Sequence, residues 1–121
     1  MWSKKFWHGF HYAFEGFIHA VKTERNFRFH LVSALIVLVV SWWLRISFFE
    51  WIIVILLITG VLVLELLNTV LERVVNLIMP TQHPLAKQAK DVSAAAVFVF
   101  ALASAIIGLL IFLPKISTMI N

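Results

Sequence analysis

The chain has 121 residues, of which 62% are hydrophobic and 13% are charged, and its formal net charge is +4. Soluble domains contain roughly 45–50% apolar and about 25% charged residues, so this composition excludes an ordinary soluble protein. The mean hydropathy of +0.97 is typical of a chain that faces lipid. Because the sequence has no cysteine, a disulfide framework and a cysteine-ligated metal site are also excluded. The length predicts a single domain over residues 1–121.

An amphipathic helix is predicted at the N-terminus, over residues 2–22. Large apolar side chains recur there at helical spacing: Phe6, Phe10, Phe14, Phe17 and Val21. Most polar side chains fall elsewhere on the wheel: Lys4, His8, His11, Glu15, His19 and Lys22. Such a helix lies in the plane of the membrane surface, and no cleavable signal peptide is expected here.

Three membrane-spanning helices are predicted next, over residues 29–47, 50–78 and 90–113. They contain the uncharged stretches 31–44, 51–64 and 92–113, and a span needs about 20 apolar residues. Backbone groups in lipid must be paired within the segment, which makes these spans helices. A short hairpin is predicted at 45–50, and two prolines predict a loop at 80–84. The expected fold class is therefore an all-α integral membrane protein.

Basic residues are distributed unevenly about these spans. Those expected on one side are Lys4, Lys5, Lys22, Arg25, Arg28, Arg73, Lys87 and Lys90; those on the other are Arg45 and Lys115. The positive-inside rule predicts a cytoplasmic N-terminus and an outward C-terminus. The predicted outer interface carries an aromatic belt of Trp42, Trp43, Phe48, Phe49 and Trp51. This topology accounts for the isoelectric point near 9.9, so no nucleic-acid partner is expected.

Polar side chains interrupt the second span. Glu65, Asn68, Glu72 and Asn76 are separated by three, four and four residues, which places them on one face of a helix. Ionisable groups inside a membrane helix usually face protein or water. The polar face is compatible with hydrogen bonding between helices, with solvated charges at the helix end, with a proton or sodium pathway, and with a Mg²⁺–phosphate site. Repulsion between the two glutamates has to be relieved by a cation, a proton or a basic partner.

Other polar residues are expected at the same membrane level. Residues 23–30 contribute Glu24, two arginines and His30, and residues 85–90 offer a polar cap before Asp91. The five histidines show no convincing metal-ligand spacing. No P-loop, nucleophile elbow or paired-cysteine motif is present, so any nucleotide chemistry would use a different site.

These motifs resemble the signature of the prokaryotic diacylglycerol kinase family. The chain reads E-L-L-N-T-V-L-E-R-V-V-N at 65–76 and A-K-D at 89–91, with Y-A-F-E-G at 12–16 and E-R-N at 24–26 upstream. The family pattern is similar to E-L-x-N-[ST]-A-[IL]-E-x-x-[VI]-D followed by A-K-D. The resemblance covers essentially the whole chain and is greatest to the Gram-positive branch, whose members phosphorylate undecaprenol. Two departures are Val70 in place of a small alanine and Asn76 in place of an aspartate, which puts full activity in question.

The resemblance implies an ATP-dependent lipid kinase of the bacterial cytoplasmic membrane, a homotrimer whose active sites are shared between neighbouring subunits. It implies that Glu65 is the general base, supported by Asn68, and that Glu24 and Glu72 hold Mg²⁺ and with it the nucleotide. The remaining residues that it places around ATP are Tyr12, Thr81, Gln82, His83, Lys90 and Asp91. Lys5 and Trp43, together with Glu65, are expected to border the lipid or its path to the site. Glu72 could exchange roles with Glu65.

The predicted activity is phosphorylation of undecaprenol to undecaprenyl phosphate. Diacylglycerol kinase is the nearest alternative, with the same chemistry on another membrane lipid. A small ion- or proton-conducting oligomer that uses the acidic face is a non-enzymatic alternative, and a catalytically silent assembly protein, suggested by Asn76, is a third.

Overall fold

The computed structural model describes residues 2–121, and they fold into four helices joined by short connections. The helices are α1 (Trp2–Thr23), α2 (Arg25–Trp43), α3 (Phe48–Ile78) and α4 (Pro84–Ile120). By length and composition, α2, α3 and α4 are each able to cross a membrane. The predicted all-α class and its three candidate spans are confirmed.

The junction between α1 and α2 is fixed by packing and by one arginine. Phe27 is fully buried and packs edge-on against Phe17, with 5.2 Å between the ring centroids. Arg28 on α2 donates to the carbonyl oxygens of Val21 and Lys22, at 2.9 and 3.0 Å. These two carbonyls belong to the last turn of α1, where a helix has no intrahelical donors of its own. These contacts hold the C-terminal end of α1, and Phe6, Trp7, Phe10 and Phe14 nearer its start are exposed.

A tight turn connects α2 to α3. Arg45 has a φ of 55°, in the left-handed region, and the amide groups of Arg45 and Ile46 donate to the carbonyls of Trp42 and Ser41. This is the Schellman arrangement that ends many helices. Ser47 then begins α3 with a capping box, in which its hydroxyl accepts from the Glu50 amide while the Glu50 carboxylate accepts from the Ser47 amide.

The main hydrophobic core lies beside this turn. Leu44, Ile46, Val54 and Ile111 are buried together, which brings the end of α2, the start of α3 and the end of α4 to one end of the bundle. Lys115 strengthens the contact with an ion pair to Glu50 of 3.1 Å. In the predicted aromatic belt, Trp51 packs on this core, and the other four rings (Trp42, Trp43, Phe48 and Phe49) are exposed.

The other end of the bundle carries the connection between α3 and α4. His83 starts α4 as its N-cap residue, accepting through Nδ1 from the Leu85 amide at 3.1 Å, and Pro84 occupies the first helical position. Along the bundle, α3 and α4 come close at Gly60, where an added Cβ would overlap the ring of Phe100. The missing side chain at Gly60 therefore lets α4 approach α3.

The helices differ in extent from the predicted spans. The first span was expected to reach residue 47, but α2 ends at Trp43 because the chain turns at Arg45. Residues 85–90, expected as a polar cap preceding the third span, form the first turns of α4. At its other end α4 continues through Pro114 to Ile120, although an interior proline lacks the amide that would donate to the preceding turn.

Candidate functional site

The polar face of α3 is the centre of the candidate site, and its members differ in burial. Glu65 and Asn68 are buried, Glu72 is half-buried and Asn76 is exposed. Asn68 donates from Nδ2 to Glu72 Oε1 at 3.3 Å, so neighbouring members of the face are hydrogen-bonded. Burial therefore decreases along the face from Glu65 to Asn76, and its exposed end lies toward the α3–α4 connection.

Glu65 is enclosed between helices rather than exposed to the surroundings. Its side chain is 5% exposed, and its Oε2 lies 3.4 Å from Nε2 of His30 on α2. Thr69, one turn further along α3, donates its hydroxyl to the Glu65 backbone carbonyl at 3.1 Å. The acidic side chain thus points into the protein, as expected for a carboxylate with a function inside a membrane span.

His30 also lines an apolar cavity of about 410 Å³ between α2, α3 and α4. Other lining residues include Ser33, Val37, Val61 and Gly108. The cavity therefore offers hydrocarbon-like surroundings that end beside His30, which contacts Glu65. The sequence predicts only the membrane level of His30, because the contact with Glu65 depends on the packing of α2 on α3.

The side-chain oxygen of Asn68 accepts no hydrogen bond from the described residues. Among residues 2–121 no hydrogen-bond partner exists for its buried Oδ1, while its Nδ2 is bonded to Glu72. Buried polar atoms without partners are uncommon and often mark a place where an ion, water or ligand binds. Carboxylate and amide oxygens are suitable ligands for Mg²⁺, which typically takes one or two protein carboxylates and completes its shell with phosphate and water.

The described residues contain no group of three or more His, Cys, Asp or Glu side chains arranged to hold a metal by themselves. A pair of carboxylates that shares the ion with a nucleotide is a different case, and it needs fewer protein ligands. Glu24 accepts a hydrogen bond from Arg73, the residue after Glu72, and Glu72 accepts one from Asn68, which lies one turn from Glu65, so the three predicted acids belong to one region. The residues present therefore fit a magnesium–nucleotide complex but not a metal bound by protein alone.

Glu24, at the start of α2, is joined to α3 by Arg73. The guanidinium donates from Nη2 to Glu24 Oε1 at 2.9 Å and to Thr23 Oγ1 at 3.1 Å. Its Nη1 lies 2.7 Å from Nε2 of His19. In the sequence Arg73 is recognisable only as one of the basic residues that orient the chain, because its partners are 49 to 54 positions away.

The residues predicted around the nucleotide fall into two groups. Thr81, Gln82, His83 and Lys90 line one cavity of about 750 Å³ at the α3–α4 connection, together with Asn76 and Lys87. Asp91 is not part of this lining and instead accepts from Lys87 Nζ at 2.6 Å. The structure thus brings most of the loop residues together beside the exposed end of the α3 polar face.

The other predicted site residues lie apart from this cluster. Tyr12 is exposed on α1, where its ring is near those of His8 and His11, and Lys5 is exposed close to the start of the same helix. Trp43 is exposed at the end of α2. It is about 20 Å along the helix from His30, at a rise of roughly 1.5 Å per residue, and therefore at the opposite end of the bundle from the α3–α4 connection.

Comparison with known proteins identifies relatives over most of the chain. The family model described as prokaryotic diacylglycerol kinase matches residues 11–112. The chain is 51% identical to undecaprenol kinase of Bacillus subtilis over 112 residues, which cover 93% of this chain and 91% of that protein. It is 39% identical to diacylglycerol kinase of Synechocystis, covering 88% of this chain and 62% of that protein. Identity to diacylglycerol kinase of Pseudomonas aeruginosa is 34%, over 73% of this chain and 72% of the relative.

Proposed function

Because the chain belongs to the prokaryotic diacylglycerol kinase family, we propose that it is a lipid kinase that transfers the γ-phosphoryl group of ATP to undecaprenol. The observation that carries the choice of lipid is the 51% identity to the undecaprenol kinase of Bacillus subtilis, over nearly the full length of both chains. Membership of a kinase family implies ATP as the co-substrate. The product of the proposed reaction is undecaprenyl phosphate, with ADP released.

Glu65 is proposed as the general base. The oxygen of the lipid hydroxyl attacks the γ-phosphorus, its proton passes to the Glu65 carboxylate, and the bond from phosphorus to the bridging oxygen of ADP breaks. The enclosure of Glu65 beside His30 supports this role, since a hydroxyl confined to the membrane needs a base below the surface. Asn68 is proposed to help position the acidic side chains of α3 through its hydrogen bond to Glu72.

Glu24 and Glu72 are proposed to hold Mg²⁺ when the nucleotide binds. The ion would neutralise charge on the phosphates, which is the main requirement of phosphoryl transfer. The oxygen-only donor set and the unused Asn68 Oδ1 support this assignment. Thr81, Gln82, His83 and Lys90 would border the nucleotide in the cavity at the α3–α4 connection. Tyr12 and Asp91 complete the proposed nucleotide set, and Lys5 and Trp43 remain candidates for lipid contacts.

We also propose how the helices are placed in the membrane. Three apolar helices and the family assignment support an inner-membrane protein. A cytoplasmic N-terminus, an outward C-terminus and a surface position for α1 follow from the charge distribution and from the exposed aromatic side chains of α1. A homotrimer with shared active sites is expected from the family, and the mass of the protein in lipid nanodiscs would test it.

The deciding experiment measures transfer of radiolabelled phosphate from ATP in mixed micelles. Purified protein is given undecaprenol or diacylglycerol at equal surface concentration, and initial rates are compared. We expect faster phosphorylation of undecaprenol. Faster turnover of diacylglycerol would instead support the second candidate, which is favoured by the Synechocystis and Pseudomonas relatives. Ion flux in proteoliposomes without ATP consumption on addition of lipid alcohol would reject both kinase assignments.

A further inference from the structure

Arg73 makes contacts that the proposed reaction does not explain. From α3, its guanidinium reaches three acceptors at the α1–α2 junction: His19 Nε2, Thr23 Oγ1 and Glu24 Oε1. We propose that Arg73 is a positioning residue that holds the Glu24 carboxylate toward α3, so that Glu24 and Glu72 can bind one divalent cation. This inference rests on the proposed function, in which these two carboxylates share the metal of the nucleotide.

The Glu24 side chain has a competing position available. Glu24 is the N-cap residue of α2, with φ −107° and ψ 109°, and the first amides of that helix are free to donate to a nearby acceptor. A helix N-terminus also attracts a carboxylate electrostatically. Within the described chain, however, the Glu24 side chain makes no capping hydrogen bond. The contact with Arg73 therefore directs the carboxylate away from its own helix and toward α3.

The geometry of the contact leaves Glu24 able to bind metal. Arg73 engages only Oε1 of Glu24, through Nη2, and so does not form the two-pronged pair that would use both carboxylate oxygens. Arg73 directly follows Glu72 in α3, so the guanidinium that holds the Glu24 carboxylate extends from the same turn of the helix as Glu72. Its positive charge also offsets repulsion between the two acids before a cation is present.

His19 and Thr23 fix the direction of the guanidinium. The imidazole Nε2 accepts a hydrogen bond only when it is unprotonated, and the Thr23 hydroxyl is itself anchored by donating to the His19 carbonyl at 2.8 Å. With two of its groups held on the last turn of α1, the arginine has a defined orientation toward Glu24. A lysine would keep the charge but not the planar fork, so the two residues are not equivalent here.

The test uses Mn²⁺ as a probe of the metal site, with a non-hydrolysable ATP analogue and the full chain in detergent. Free Mn²⁺ is measured by electron paramagnetic resonance for the wild type and for Arg73→Gln, Arg73→Ala and Arg73→Lys. The matched control is Arg28→Ala. Arg28 also fastens the end of α1, through the carbonyls of Val21 and Lys22, but it makes no hydrogen bond to Glu24.

We expect Arg73→Gln and Arg73→Ala to weaken Mn²⁺–nucleotide binding by at least about fivefold, a loss of about 1 kcal/mol. Arg73→Lys should recover part of the loss, and Arg28→Ala should bind within about twofold of the wild type. The half-saturating Mg²⁺ concentration for lipid phosphorylation should rise in the same order, with a smaller change in kcat. Arg73→Gln is the milder variant and decides the question if Arg73→Ala does not fold.

Two results would overturn the positioning role: unchanged Mn²⁺ binding in Arg73→Gln, or an equal loss in Arg28→Ala, which would mean that only the junction matters. Failure of the proposed function gives a different pattern. In that case the wild-type protein itself would bind no Mn²⁺–nucleotide complex and would phosphorylate no lipid alcohol.

Discussion

Replacing Glu65 by glutamine tests the proposed chemistry with little disturbance of the fold. Glutamine has nearly the same shape as glutamate, and its amide can still contact His30, now 3.4 Å from the carboxylate. The hydrogen bond from Thr69 is made to the backbone carbonyl of residue 65 and survives the change. The substitution therefore removes the proton-accepting carboxylate and leaves its enclosure between α2 and α3 in place.

The expected loss follows from the role assigned to the carboxylate. General bases contribute about 10²–10⁴-fold to rate, which corresponds to about 3–5 kcal/mol of transition-state stabilisation. Glu65 lies on the buried part of the α3 polar face, whereas the loop cavity that is proposed for the nucleotide begins near the exposed Asn76. The KM for ATP should therefore stay within about threefold of the wild-type value, and kcat should carry the loss.

The assay is the initial rate of undecaprenol phosphorylation at saturating ATP, with thermal unfolding and oligomer mass measured on the same preparation. A loss of at least about 100-fold in kcat, with the mass of the proposed homotrimer unchanged, is the expected result. A glutamine variant that retains a rate within threefold of wild type would refute the base assignment. Loss of the oligomer would instead indicate that the α3 polar face joins helices together.

Three further substitutions probe separate parts of the structure. Glu72→Gln should abolish turnover at ordinary Mg²⁺ concentrations and leave the proposed homotrimer intact. Phosphorylation rates measured up to a large excess of Mg²⁺ would check the loss of turnover, and a variant that loses its assembly together with its activity would contradict the metal-binding role. Gly60→Ala should lower the free energy of unfolding by about 1–3 kcal/mol, because the new methyl group meets the Phe100 ring. Its control is Gly108→Ala, where a Cβ has no neighbour within 4 Å in the described chain; equal denaturation midpoints for the two variants would contradict the packing argument. Arg45→Val should lower the midpoint relative to Arg45→Gly, because a β-branched residue is strained at a φ of 55°.

Much of the fold could be predicted because lipid imposes simple rules. Apolar stretches near the length of a bilayer had to be helices, and prolines marked the connection before α4. The ends of the helices were harder to predict. The apolar sequence continues past Trp43 to Ile46 and Phe48, although α2 ends at Trp43 and the chain turns at Arg45. Apolar side chains favour burial whether the backbone is helical or forms a turn. The turn here depends on the left-handed backbone of Arg45, and sequence patterns do not associate arginine with that conformation.

The candidate site was predictable where its residues share one helix. Helical spacing alone groups Glu65, Asn68 and Glu72, and the structure joins the last two by a hydrogen bond. His30 and Arg73 could not be assigned in this way, because their contacts depend on how α2 and the end of α1 pack against α3. A charged residue near a membrane surface has many possible partners, and only tertiary structure selects among them.

Asn76 stands where the family pattern that the sequence resembles has an aspartate, and its position shows which charged residues lie around it. Asn76 is exposed and lines the cavity at the α3–α4 connection, one turn beyond Glu72 and apart from the Asn68–Glu72 hydrogen bond. A negative charge at this point would face Lys87 and Lys90, which line the same cavity. Lys87 is already paired with Asp91, so the absence of a carboxylate at residue 76 mainly leaves Lys90 with more uncompensated positive charge where the nucleotide is proposed to bind. The effect of an exposed charge is modest and screened by salt. The departure at residue 76 should therefore alter nucleotide affinity before it alters the metal-binding carboxylates, and Asn76→Asp should change the KM for ATP more than the half-saturating Mg²⁺ concentration.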